Sequence, residues 1–271
     1  MTTPRSSFTF VGNATALLRF GPLTILTDPN FLHRGELAYL GKGLFSRRLK
    51  DPAFDVTAVP PLDAIVLSHM HGDHWDRVAK NGLARSTPVL TTPKAARALV
   101  RQRFTNSEGL ATWQTSTLTK DGHRLDVTAM PGRHARGLVQ HLLPPVMGTM
   151  LEYTPAGGQL ALRMYITGDT VLVDDLREIP RRYQAIDVAV LHLGGTTLPG
   201  GLVVTLDGRG GTDVVELIGP GEAIPIHYDD YGRFKSPLAD FETEMRRRGL
   251  AGLIRRVGRG ETVELGLGGP E

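Results

Sequence analysis

The stretch LSHMHGDHWD, residues 67–76, holds three of the chain's nine histidines within six positions, together with two aspartates. Imidazole is a good ligand for zinc, iron, nickel and copper, and a carboxylate adds a harder oxygen ligand. The apolar run DAIVLS, residues 63–68, leads into this stretch and is typical of a buried strand. Gly72 is expected to let the following turn bend without a Cβ clash. The stretch therefore predicts a metal-binding turn at the end of a strand. The alternative, a polar surface turn, is disfavoured by so dense a cluster.

Other polar residues follow predicted strands in the same way. His134 comes after RLDVTAM (124–130), Asp169 comes after LALRMYIT (160–167), and His227 ends EAIPIH (222–227). In α/β proteins, ligands usually lie beyond the carboxyl ends of the strands. We therefore expect these side chains to meet the 67–76 turn.

The rest of the chain predicts an α/β protein. Residues 7–29 contain alternating apolar positions typical of an N-terminal strand meander, and DVAVLHL (187–193) is a further strand. Residues 93–104 predict a helix that begins at a proline, and 236–249 a helix with a serine cap and a glycine stop. Residues 30–60 predict a long irregular loop, which is uncommon unless the loop has a function.

Composition excludes several classes of protein. No cysteine is present, which excludes disulfides, thiolate metal ligands and a cysteine nucleophile, and fits a reducing cytoplasm. A net charge of +3 gives no general support for nucleic-acid binding. The first residues, MTTPRSSFTFVGN, show no secretory signal, and no apolar run is long enough to span a membrane. We expect a cytoplasmic protein.

HMHGDH (69–74) matches the H-x-H-x-D-H signature of the metallo-β-lactamase-fold hydrolases. ATALLRFGPLTILTDP (14–29) resembles the opening of the branch that contains ascorbate-6-phosphate lactonase-like and N-acyl-phosphatidylethanolamine phospholipase D-like proteins. The first motif of that branch usually reads Gly-His-Ala, whereas this chain has Asn13 at the histidine position, so the role of that histidine is not carried over. The resemblance implies one domain over residues 1–271, with a four-layer αββα sandwich.

The resemblance also implies a dinuclear metal site. His69, His71 and His134 would hold the first ion, and Asp73, His74 and His227 the second. Asp169 would bridge the two ions, together with a water or hydroxide. The ions would be zinc, with manganese or iron as alternatives. Asp73 would also orient the attacking hydroxide.

These features predict a hydrolase that opens a lactone or cleaves a phosphodiester in a small anionic substrate. The alternative is a non-hydrolytic metal-binding or di-iron redox protein of the same fold. An antibiotic-resistance lactamase is not expected, because its subclasses use a cysteine ligand or lack the bridging aspartate. We expect the protein to bind a small-molecule substrate, to bind no nucleic acid and to have no membrane span. The sequence leaves open whether the protein forms a homo-oligomer.

Several residues keep two interpretations. Several basic residues could bind an anionic substrate, although the default interpretation is that they are solvated. They are Arg34, Lys42, Arg47, Arg48, Lys50, Arg133, Arg136 and Lys235. Asp28 is either a partner of a ligand histidine or part of an Asp-Pro turn. His33, His123, His141 and His192 are expected to be structural or exposed, with a supporting role open for His192. Asp229, Asp230 and Tyr231 predict a surface loop, with donation from the tyrosine hydroxyl to an oxyanion as the alternative.

Overall fold

The computed structural model describes residues 6–41, 43–135, 137, 140, 143–198 and 201–266. Lys42, Arg136 and His141 lie outside the described residues. Strands are numbered in chain order. The first sheet has the order β17-β1-β2-β3-β6-β7-β8. Its strands are β1 (Ser6–Gly12), β2 (Thr15–Phe20), β3 (Leu23–Thr27), β6 (Ala64–Leu67), β7 (Val89–Thr91), β8 (Ser107–Gly109) and β17 (Thr262–Leu265).

The second sheet has the order β16-β13-β12-β11-β10-β9. Its strands are β9 (Thr115–Lys120), β10 (His123–Met130), β11 (Gly148–Thr154), β12 (Leu162–Ile166), β13 (Val188–His192) and β16 (Glu222–Ile226). Two hairpins stand apart from both sheets: β4 (Leu37–Gly41) with β5 (Leu44–Arg47), and β14 (Thr197–Leu198) with β15 (Leu202–Val203). The helices are α1 (Arg77–Gly82), α2 (Pro93–Arg101), α3 (Glu178–Arg182), α4 (Gly208–Ile218) and α5 (Leu238–Arg247).

Three apolar layers hold the two sheets and the helices together. The central layer packs the two sheets face to face, for example Phe20 against Tyr153 with ring centroids 5.7 Å apart. A second layer joins the first sheet to α1 and α2, and a third joins the second sheet to α3, α4 and α5. This arrangement confirms the predicted four-layer αββα sandwich. The assignment of 1–271 to one domain stays a prediction.

The layers explain the uninterrupted apolar runs of the central strands. In β6, Ala64 and Val66 face the layer between the sheets, whereas Ile65 and Leu67 face α1 and α2. Both faces of such a strand are buried, so its sequence does not alternate between apolar and polar residues. The runs that predicted strands at 63–68 and 187–193 are therefore inner strands of the two sheets, and the run at 222–227 is an edge strand whose residues are also mostly buried.

Two local predictions were wrong. Residues 30–60 are not an irregular loop throughout, because β4 and β5 form a hairpin there. Ser236 does not cap α5: the cap position is Pro237, and the Ser236 hydroxyl instead accepts from Gly208 N and donates to Asp240. The predicted glycine stop is present, since Gly249 follows the end of α5 with φ of +75°.

The close approach of α4 to α5 can be tested at Gly208. An alanine Cβ there would lie 2.6 Å from backbone atoms of Asp240 and Phe241. Since backbone cannot move aside cheaply, we expect Gly208→Ala to lower the free energy of unfolding in urea by about 1–3 kcal/mol. The control is Gly210→Ala in the same helix, where the nearest atom is the Asp207 side chain at 3.2 Å. Equal stability of the two variants would contradict this account of the packing.

Candidate metal centre

The structure brings all seven predicted ligands together at one edge of the sandwich. The pairing pattern makes β3 and β6 parallel, and it makes β10, β12, β13 and β16 run in a common direction. Consequently the residues that follow these strands meet at their carboxyl ends. The residues are His69, His71, Asp73, His74, His134, Asp169 and His227.

The seven side chains form two groups. His69, His71 and His134 make up the first group. Asp73, His74, Asp169 and His227 make up the second. Within each group the candidate ligand atoms lie within 4.8 Å of one another. This division agrees with the one that the family resemblance implies for two ions except at Asp169, which the resemblance assigns to both ions.

Asp169 lies between the two groups. Its Oδ2 is 3.2 Å from His74 Nε2 and 4.0 Å from His69 Nε2, and its Oδ1 is 3.6 Å from His227 Nε2. The carboxylate thus reaches imidazoles of both groups, as a shared ligand must.

Hydrogen bonds on the outer side of the imidazoles orient four of the five rings. In each of these rings Nδ1 faces an oxygen, so the proton belongs on Nδ1 and Nε2 faces the centre. The contacts are His69 to Ser68 Oγ at 2.9 Å, His74 to Asp28 Oδ2 at 3.4 Å, His134 to the Val204 carbonyl at 3.4 Å and His227 to the Leu193 carbonyl at 3.1 Å. His71 is reversed, with its Nδ1 2.9 Å from His69 Nε2.

The inward-facing atoms lack ordinary partners. Nε2 of His74, His134 and His227 and Oδ1 of Asp73 and Asp169 are buried without a hydrogen bond among the described residues. Buried polar atoms are almost always satisfied, so five exceptions in one place need an explanation. Lone pairs of nitrogen and carboxylate oxygen that converge in this way fit divalent metal ions.

The environment of the first group keeps its histidines neutral. Burial lowers the pKa of His134 to about 4, assisted by the charge of His71. Burial, with the charges of neighbouring imidazoles, likewise lowers the pKa of His69 well below its usual range. At neutral pH these rings therefore keep the lone pairs that a metal ion requires.

The second group balances charge internally. Burial alone would lower the pKa of His74, but Asp169, Asp73 and Asp28 raise it well above its usual range. Burial alone would raise the pKa of Asp169, but His227 and His74 lower it well below its usual range. Without a bound cation, protonated imidazoles thus neutralise the carboxylates, and a cation must displace those protons.

Asp28 contacts the ligand histidine His74 on the side that faces away from the centre, and His192 in turn contacts Asp28. Asp28 Oδ1 accepts hydrogen bonds from the amide and hydroxyl of Ser68, and Oδ2 lies 3.4 Å from His74 Nδ1 and 3.5 Å from His192 Nε2. Burial alone would raise the pKa of Asp28, but the charge of His74 and hydrogen bonds from both imidazoles lower it to about 2. The structure therefore favours the partner interpretation of Asp28 and gives His192 a place beside it.

Asn13 ties the metal-binding turn to the last ligand. It is fully buried with φ of +55°, its Nδ2 donates to the Asp73 carbonyl at 2.6 Å, and its own carbonyl accepts from His227 N at 3.0 Å. Its amide also donates to Asp230 at 2.8 Å. Asparagine tolerates this left-handed conformation better than most residues.

Gly72 is required for a reason other than the expected one. Its φ is not positive, but a Cβ there would lie 2.7 Å from Tyr39 N and 2.8 Å from Tyr39 O. The Gly72 amide donates to that same carbonyl at 2.8 Å. The glycine thus permits the close approach of β4, which packs the β4–β5 hairpin against the metal-binding turn.

Several expectations about the surrounding residues were wrong. Arg48 is not in a solvated loop: it is fully buried and 3.1 Å from Asp230, which also binds Arg259 at 3.0 Å. Asp230 and Tyr231 are likewise buried, and the Tyr231 hydroxyl donates to Asn30 at 2.9 Å. These residues build the support of the site and do not form a surface loop.

A cavity of about 350 Å³ opens onto the centre and includes His71, Asp73, His134 and Asp169 in its lining. The sequence analysis missed its only basic lining residue among those described, Lys94. The strand before it, β7, was not predicted either, so the sequence analysis offered no signal for Lys94 beyond its place at the start of the predicted helix 93–104. Arg34, Arg47, Arg48, Lys50, Arg133 and Lys235 are not among the described lining residues.

The fold and the donor set together define a protein of the metallo-β-lactamase fold. A model of the beta-lactamase superfamily domain matches residues 24–228. A UPF0173 metal-dependent hydrolase of Deinococcus radiodurans is 30% identical over 209 residues, which cover 74% of this chain and 80% of that protein. The chain therefore belongs to the beta-lactamase superfamily and, within it, to the UPF0173 metal-dependent hydrolases.

Two further similarities agree with this assignment. N-acyl-phosphatidylethanolamine-hydrolyzing phospholipase D 1 of Caenorhabditis elegans is 25% identical over 202 residues, which cover 69% of this chain and 53% of that protein. The crystal structure of isothiocyanate hydrolase from Delia radicum gut bacteria superimposes with a TM-score of 0.80 at 20% identity, over 96% of this chain and 99% of that one. The resemblance to the phospholipase D-like branch is thus confirmed. In the described part of this chain no helix is long and apolar enough to cross a membrane.

The role of Asn13 can be tested by two substitutions. Asn13→Ala leaves the Asp73 carbonyl without its buried donor and places alanine in a left-handed conformation, so we expect a loss of about 2–4 kcal/mol in urea denaturation. Asn13→Gly keeps the backbone conformation and should lose less. If both variants unfold like the wild type, Asn13 does not hold the two ligand segments together.

Because the histidines of the first group are neutral in the folded protein, we expect the free energy of unfolding of chelator-treated protein to depend on pH. The pKa of His134 is about 4 in the folded state and about 6.5 when unfolded. Between these values only the unfolded chain binds the proton, so the free energy of unfolding should fall as pH drops from 6.5 to 4. One residue contributes at most about 1.4 kcal/mol per pH unit. Urea titrations at pH 7, 6 and 5 should show a smaller fall for His134→Asn, and an unchanged fall would refute this origin.

Proposed function

We propose that the protein is a dinuclear metal-dependent hydrolase that acts on a small anionic lactone or phosphodiester. The observation that carries the proposal is the convergence of five buried ligand atoms that have no hydrogen bond among the described residues, within two groups of side chains that could each hold a metal ion. His69, His71 and His134 would hold one ion, Asp73, His74 and His227 the other, and Asp169 would bridge them. Zinc is the proposed ion, with manganese or iron as alternatives, and the proposed location is the cytoplasm.

Bound divalent ions supply hydroxide at neutral pH, because they lower the pKa of water to about 7, and they stabilise the negative charge of the transition state. The residues of the chain hold and orient the reactants. Asp73 Oδ2 lies 3.5 Å from His227 Nε2, while its buried Oδ1 has no hydrogen bond among the described residues. That oxygen is available to accept a hydrogen bond from the attacking nucleophile and to orient it.

The volume and the lining of the cavity favour a small substrate. A volume of about 350 Å³ lies in the range of small-molecule sites, and its largely apolar walls exclude water from the reacting groups. The relatives include a protein named as a phospholipase and one named as an isothiocyanate hydrolase, so the shared fold does not determine the bond that is cleaved.

The proposal is tested by metal content and activity of the same preparations. Protein supplied with zinc, manganese or iron should bind two ions per chain by elemental analysis. It should hydrolyse members of a panel of lactones and phosphodiesters. Asp169→Ala should reduce the binding of both ions and lower kcat/KM by at least about 100-fold, because the residue serves both groups. The control is Asp174→Ala, whose side chain is 97% exposed.

Two results would overturn the proposal. The first is wild-type protein that binds no metal ion after chelation and resupply. The second is Asp169→Ala with unchanged metal content and hydrolysis. Oxygen consumption by the iron-loaded protein without hydrolysis would instead support the di-iron redox alternative.

A further inference from the structure

The cavity over the metal centre is largely apolar, with Thr196 and one cation as the polar lining side chains outside the centre itself among the described residues. Six apolar residues line it: Leu40, Leu44, Met70, Leu143, Pro144 and Val204. Among the described lining residues, the carboxylates of Asp73 and Asp169 and the ammonium of Lys94 are the charged groups, and His71 and His134 are neutral imidazoles. Ligand sites commonly combine apolar walls with a few polar groups that fix orientation. Lys94 is such a group, and it belongs to neither ligand group.

The topology explains how Lys94 comes to face this cavity. β7 lies parallel to β6, so its carboxyl end is beside the metal-binding turn that follows β6. Thr92 then caps α2, which begins at Pro93, and Lys94 is the second residue of the helix. Its position therefore follows from the same convergence of strand ends that assembles the centre.

Lys94 has no evident structural role. It is exposed, and within the described ranges its ammonium has no hydrogen bond or ion pair. Other cations near the site are paired: Lys50 with Asp229, Arg48 with Asp230, and Arg133 with Asp175. A cation in the first turn also opposes the helix dipole, and the first turn of α2 contains no acidic residue that would compensate.

We propose that Lys94 determines specificity by binding an anionic group of the substrate that is remote from the scissile bond. The substrate class is then an apolar molecule with one acidic group, whose body lies against Leu40, Leu44 and Met70 while its scissile group faces Asp73 and Asp169. The inference rests on the proposed function for the position of the scissile group only. An ammonium at the border of an apolar cavity interacts with an anion more strongly than it would in open solvent.

Binding of a non-hydrolysable probe tests Lys94 without requiring turnover. Calorimetry with the metal-loaded protein compares 4-phenylbutyrate with its neutral counterpart 4-phenylbutanamide. We expect wild type to prefer the carboxylate, and Lys94→Met to weaken carboxylate binding by about 10-fold, or 1.4 kcal/mol, with little change for the amide. Lys94→Arg should restore most of the preference. The control is Lys80→Met, on α1, which lines a different cavity and should change neither affinity.

Kinetics provide the second readout. For an acidic substrate from the panel, Lys94→Met should raise KM with little change in kcat, because the contact is made equally in the ground state and the transition state. Equal carboxylate affinity of wild type and Lys94→Met would place the anion elsewhere, such as on the metal ions, and would overturn the proposal. It would also be overturned if wild type bound neither compound or bound both equally. Metal content of the same samples reports separately on the proposed function.

Discussion

The buried carboxylate of Asp169 is the interaction on which the centre depends. It lies within 4.0 Å of nitrogen atoms from three imidazoles that belong to two different groups. A buried charge is tolerated only when it is paired. Here the partners of Asp169, which itself follows β12, come from residues that follow β6 in the first sheet and β16 in the second. The charge balance therefore couples the two sheets at this edge of the sandwich. A metal ion in the second group would displace protons from its imidazoles, whereas a metal ion in the first group would bind imidazoles that are already neutral.

The surrounding structure holds these groups in conformations that the chain would not adopt without support. Asn13, Asp28 and His227 all have positive φ, at +55°, +36° and +60°. Such conformations cost free energy and persist only where neighbouring contacts impose them. The contacts are present: Asn13 bonds to the backbone of Asp73 and His227, and Asp28 bonds to Ser68. Non-glycine residues with positive φ also occur elsewhere in the described chain, but at these three positions the strained backbone is at or next to the ligands, whose orientation it helps to fix.

The ligand set was accessible from the sequence because its residues either cluster locally or follow strands directly. His69 to His74 form one short motif, and the ends of apolar runs indicated His134, Asp169 and His227. The supporting contacts were not accessible in this way. Asp230 looks like a surface residue within its local sequence, since nothing there shows that Arg48 and Arg259 approach it from distant segments. Gly72 was singled out correctly as a constrained position, but the constraint is the backbone of Tyr39, which only tertiary packing reveals. Whether the seven residues bind metal stays a prediction of the same sequence pattern, now supported by their geometry.

Several residues that line the cavity lie on other secondary-structure elements than those that position the ligands. The ligands follow strands with mostly buried residues, namely β6, β10, β12 and the edge strand β16, where a change would disturb the core. Leu40 and Leu44 belong to the β4–β5 hairpin, and Lys94 belongs to the first turn of α2, both outside the layer between the two sheets. Loops and element ends tolerate substitution better than central strands do. Apart from Met70, which lies within the motif, the apolar residues and the lysine of the cavity therefore belong to other segments than HMHGDH. For this reason HMHGDH predicts the metal centre but does not identify the molecule that enters the cavity.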